Sequence, residues 1–154
     1  MSKIEPISEI ISPGQHFVKL SEGVFPLPAT IIFDLTINGN NDEVLPWFAA
    51  DDGTAVSWYL SSHRDDTTIR NGDGWETKGK LERFGKIIGK VGQKYRMECT
   101  ITTTRTVYFI DGQKYASMEY DDGTLGKKGT FGFNAHFVKE AFNVDNLSIF
   151  KYNR

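Results

Sequence analysis

A single cysteine, Cys99, leaves the chain without any internal disulfide, so packing alone must hold the fold together. That shortage of cysteine suits a reducing compartment. Apolar runs of membrane-spanning length are also missing. The opening residues carry Glu5, Pro6 and Glu9 where a secretion signal needs an apolar stretch. The expectation is a protein without a membrane span, cytoplasmic or released by a non-classical route. Positive charge is not in excess: 18 Lys and Arg against 20 Asp and Glu give a formal charge of -2. With a pI near 5.9, the chain lacks the cationic field that nucleic acid requires, and no nucleic-acid partner is expected. Helical periodicity is the last absence. The best helical candidate is Ile4 to Ile11, and Pro6 interrupts it.

What is present is glycine, 15 residues of it, and an aromatic content of 13% dominated by Phe. Six dipeptides favour positive φ in tight turns: Asn38-Gly39, Asp52-Gly53, Asn71-Gly72, Asp73-Gly74, Asp111-Gly112 and Asp122-Gly123. Short alternating segments lie between them. Ile31, Phe33, Leu35 and Ile37 share one face, as do Val56, Trp58 and Leu60 further on. Tyr95, Met97, Cys99 and Ile101 repeat the pattern, and Thr106 to Tyr120 reads as a hairpin over Asp111-Gly112. Phe131, Phe133, Ala135 and Phe137 form another period-two row, and a last strand runs from Phe142 to Tyr152. Repeated short strands without helical crossovers predict an all-β domain of two antiparallel sheets. At 154 residues this is one sandwich domain spanning 1–154, with 1–15 as an N-terminal extension.

The cadence of the second half is specific. Gly92-Gln93-Lys94-Tyr95 opens a strand, Gly129-Thr130-Phe131-Gly132-Phe133 follows, and Val144-Asp145-Asn146-Leu147-Ser148-Ile149 closes the chain. This resembles the concanavalin A-like lectin and glucanase superfamily, and implies a jelly-roll sandwich. A narrower stretch is similar to galectins, which read galactosides with a His/Asn/Arg strand, then an Asn, then a Trp and a Glu. By that likeness Arg64, Asn71 and Trp75 fall in place, while Leu60 and Ser62 stand where the His and Asn belong. The superfamily also implies a structural calcium near strand ends, for which Asp51-Asp52 and Asp145-Asn146 offer oxygens. No other cofactor is expected.

Sugars present an apolar C–H face that stacks on an indole, and hydroxyl edges that need donors and acceptors. The segment from Ser57 to Glu76 concentrates such groups: His63, Arg64, Asn71, Trp75 and Glu76. Trp75, flanked by Gly74 in a loop, is the expected stacking platform, whereas Trp58 alternates as a core residue would. Trp47 is read either as a second wall or as a cap on one end of the sandwich. Asn134 and His136 alternate with the Phe row and so are expected on the opposite face. Cys99 sits mid-strand on an apolar face, as an inert core thiol would.

Catalysis finds less support. The superfamily's E-x-D-x-x-E strand signature is nearest at Glu119-Tyr120-Asp121, where Thr124 replaces the last Glu. The leading expectation is a non-catalytic, lectin-like module whose partner is a carbohydrate or glycoconjugate. The first alternative is an enzyme of the same fold, a glycan hydrolase or lyase or a small-molecule cyclase. It would use His63 with Asp65, Asp66 or Glu76. The second is a structural or protein-interaction domain. A homodimer stays open under each reading.

Overall fold

The period-two apolar rows become the inner faces of two sheets. The computed structural model describes residues 2–3, 7–58, 60–61, 69–71, 80–83 and 90–152. In chain order the strands are β1 (Ser2–Lys3), β2 (Ile7–Ile11), β3 (Val18–Lys19), β4 (Phe25–Pro26), β5 (Ala29–Thr36), β6 (Glu43–Ala50) and β7 (Ala55–Trp58). They continue with β8 (Leu60–Ser61), β9 (Ile69–Asn71), β10 (Lys80–Arg83), β11 (Lys94–Ile101), β12 (Arg105–Ile110), β13 (Gln113–Glu119), β14 (Lys128–Asn134) and β15 (Phe142–Lys151). There is no helix among the described residues.

Eight strands form one sheet in the order β1-β15-β5-β11-β12-β13-β10, with β2 also on β15. Seven form the other, β3-β14-β6-β7-β9, with β4 on β14 and β8 on β6. All these pairings are antiparallel, and the molecule is the expected jelly-roll sandwich.

Register in the eight-stranded sheet follows from burial. Ile149, Ile31, Cys99, Tyr108 and Ala116 stand side by side across five strands. None of them is more than 2% exposed. Slipping any one strand by a residue would turn its whole apolar set to water. The facing sheet contributes Phe48, Val56, Trp58, Phe131 and Phe133, all buried. Between the layers Phe33 meets Phe133 edge to face, centroids 5.2 Å apart, and Trp58 meets Tyr108 in the same way at 5.6 Å. Such pairs add about 0.5–1.5 kcal/mol each beyond the area they bury.

Three local readings change. Ile7–Ile11 is a strand on the edge of β15 rather than a helix, because tertiary pairing and the burial of Ile11 outweigh local preference. The segment 1–15 thus contributes β1 and β2 to the sandwich. The Phe row of β14 stops early: Asn134 Oδ1 accepts the His136 amide at 2.8 Å, which turns the chain out of the strand. Phe137, expected in the inward Phe row, is therefore 39% exposed, whereas Val138 is in the core.

Candidate functional site

The outer face of the seven-stranded sheet is set by the residues between the buried ones. On β14 the inward Phe131 and Phe133 leave Thr130, Gly132 and Asn134 outside. On β6 the inward Pro46 and Phe48 leave Trp47 outside, half-buried. Trp47 pairs with Gly132 on one side and with Ser57 of β7 on the other. The indole thus stands beside a position with no side chain.

Gly132 has a physical reason to be glycine. A Cβ there would collide with the Val18 carbonyl oxygen and press on the Phe17 ring. Phe17 itself is 37% exposed, and its ring covers Gly132 on the face where Trp47 stands in the next strand. Lys19, exposed on β3, is the partner of Gly132 on the side away from Trp47. Asn134 lies two residues along β14 from Gly132, about 7 Å away by strand rise. Its Oδ1 is engaged by the His136 amide, which leaves the amide NH₂ to donate. Just past the strand end, the His136 ring stacks on His16, centroids 5.1 Å apart and 12° from parallel. Phe137 closes on the same imidazole edge to face at 5.0 Å. The N-terminal segment is held there by paired backbone bonds between Gly14, Gln15 and Ala135.

The expected site residues divide into three groups. Trp47, Asn134 and His136 fall on or at the end of this face. Asn71 is on β9, where register sets it opposite the buried Val56; Arg70, not Asn71, stands opposite Ser57 in the row of Trp47. His63, Arg64, Trp75 and Glu76 lie outside the described residues. Sequence reasoning passed over His16, Phe17 and Lys19, because a two-residue strand has no period to read. The Gly132 between two Phe was the one available signal, since glycine inside a strand marks a close approach.

The carboxylates proposed for calcium have protein partners. Asp52 accepts from the hydroxyl and amide of Thr54, and those bonds hold its carboxyl below the usual range. Asp51 faces Lys128, and Asp145 faces Lys94. The Asn146 side chain donates to Asp34. Among the described residues no three His, Cys, Asp or Glu side chains gather as a metal site would need. Asp42, 1% exposed, accepts the amides of Lys139 and Glu140 and so anchors the loop after β14. Glu119 ends β13, in the sheet opposite Trp47.

No protein-family model matches the sequence, and no curated protein matches it. Solved structures do match. The carbohydrate binding module CBM66 from Bacillus subtilis superposes with a TM-score of 0.67 over 95% of this chain and 94% of its own, at 14% identity. The Caenorhabditis elegans galectin LEC-6 gives 0.59 over 96% and 95%, at 8% identity. A putative glycosyl hydrolase from Parabacteroides distasonis gives 0.65 over 86% and 81%, at 12%. At these identities the likeness establishes the fold. It is a jelly-roll sandwich, shared by a binding module, a galectin and a putative hydrolase alike.

Proposed function

We propose that this chain is a non-catalytic carbohydrate-binding module that takes a glycan on the outer face of its seven-stranded sheet. One observation carries the reading: Trp47, a large aromatic, is left only half-buried on the outer face in mid-sheet. An indole there offers a flat apolar surface to the C–H face of a sugar ring. Asn134, His136 and His16 supply donors and acceptors to the hydroxyl edges. The fold shared with a carbohydrate binding module and a galectin supports this assignment. Trp75, Arg64, His63, Asn71 and Glu76 remain in the proposal as further ligand-binding residues.

The test is titration calorimetry against a glycan panel. Trp47→Ala should lose about 1–3 kcal/mol, roughly ten- to hundredfold in affinity, with little change in melting temperature. Trp75→Ala should weaken binding in the same direction. Trp58→Ala is the stability control: Trp58 is 2% exposed, and its loss should cost about 3–5 kcal/mol of folding. Unchanged binding by Trp47→Ala would remove the site from this face. The competing reading is an enzyme using His63 with Asp65, Asp66 or Glu76, which the hydrolase likeness favours. Turnover of a panel glycan, abolished by His63→Ala, would replace the binding module with that enzyme.

A further inference from the structure

We infer that the glycan bound on this face carries an anionic group, a carboxylate or a sulfate; the inference rests on Trp47 being its stacking surface. Register aligns one residue from each of five strands in a single cross-strand row: Lys19, Gly132, Trp47, Ser57 and Arg70. Neighbouring strands lie about 4.8 Å apart, so positions 19 and 70 each stand about 10 Å from Trp47, on opposite sides. The row therefore has an aromatic centre, a cationic residue type at each end and no acidic residue.

The other sheet is arranged differently. There Lys94 faces Asp145 and Arg96 faces Asp34, both at 3.8 Å, so these two cations have carboxylate partners on other strands of the sheet. The ion pairs between described residues use Lys94, Arg96 and Lys128, and Lys19 is in none of them. A chain of net charge -2 has acidic residues to spare, yet none stands in the row of Trp47. The polar groups at the nearby strand end, the His16–His136 stack and the Asn134 amide, can all donate to an anion. A neutral sugar needs acceptors as often as donors. Cationic residue types at both ends of the Trp47 row, with the nearest acid of that face of β6, Glu43, at the far strand end, match a saccharide that brings its own negative charge, and charge-assisted bonds are roughly twice as strong as neutral ones.

The experiment is calorimetry of the whole chain with matched pairs of probes: uronate oligosaccharides against their carboxyl-reduced forms, and chondroitin sulfate oligosaccharides against desulfated ones. The acidic member of at least one pair should bind about tenfold or more tightly. That preference should shrink as salt rises from about 50 mM to about 200 mM. Lys19→Glu and Arg70→Glu should each remove most of the preference without changing the melting temperature. Equal affinities within every pair, with both lost in Trp47→Ala, would overturn the anionic assignment and leave the binding module standing. Absence of binding by all probes would overturn the anionic assignment, and failure of the wider glycan panel would overturn the module as well.

Discussion

Tyr120 shows how one buried hydroxyl ties stability to pH. Its oxygen donates to the Thr102 carbonyl at 2.9 Å and lies 2.8 Å from the buried Thr106 hydroxyl. Burial, only partly offset by the Thr106 bond, raises its pKa far above the ordinary tyrosine range. The folded value therefore exceeds the unfolded one. Its stabilisation is complete below the ordinary tyrosine pKa of about 10 and is lost as pH climbs from there toward the folded value. Cys99 acts in the same sense from a lower pH, because burial pushes its thiol up as well. Denaturant melts should accordingly show stability falling between about pH 9 and about pH 12. Tyr120→Phe should flatten the upper part of that fall while lowering the neutral plateau by about 1 kcal/mol. An unaltered slope would mean that another group governs it. Cys99 should also resist thiol reagents until the protein unfolds.

Turns and edge strands carry the next level of specification. In the hairpin between β12 and β13, Asp111 has φ 49° and Gly112 has φ 81°, the left-handed pair that a tight two-residue turn requires. A side chain at 112 would meet open space, so substitution there reports backbone conformation rather than crowding. Gly112→Val should lower the denaturant midpoint by the equivalent of about 1–2 kcal/mol, while Gly112→Asn should cost much less. Equal costs would show that φ is not what position 112 is selected for. At the edge of the other pairing, Ile11→Ala should cost about 2–5 kcal/mol, because β2 places that side chain in the core. A negligible effect would detach β2 from the cooperative fold.

For the molecule as a whole, strands far apart in sequence must meet before much is stabilised. β15 pairs with β1, β2 and β5, and β14 pairs with β3, β4 and β6. Non-local pairing of this kind places refolding in the range of about milliseconds to seconds rather than microseconds. The core packs residues of both sheets into one cluster, so far-UV circular dichroism and tryptophan fluorescence should report a single unfolding transition. Separated transitions would indicate that the sheets unfold independently.

Period-two alternation is local, and it determined most of the core. Ile31, Phe33 and Leu35, then Tyr95, Met97, Cys99 and Ile101, and Trp58 all face inward as their spacing requires. The turn dipeptide Asp111-Gly112 likewise placed its hairpin, because positive φ is a property of those two residues. Alternation also tells which residues share a face of a strand, but not which strand lies beside it. That choice was made by tertiary contact. It turned Ile7–Ile11 into a sheet edge, drew Phe17 and Lys19 against Gly132, and set Arg70 rather than Asn71 opposite Ser57. The end of β14 depended on a side chain competing with the backbone, when Asn134 captured the His136 amide and left Phe137 exposed. The surface around Trp47 was invisible in the sequence for one reason: its residues come from strands 18–19, 43–50, 55–58 and 128–134, and only pairing across the sheet makes them neighbours.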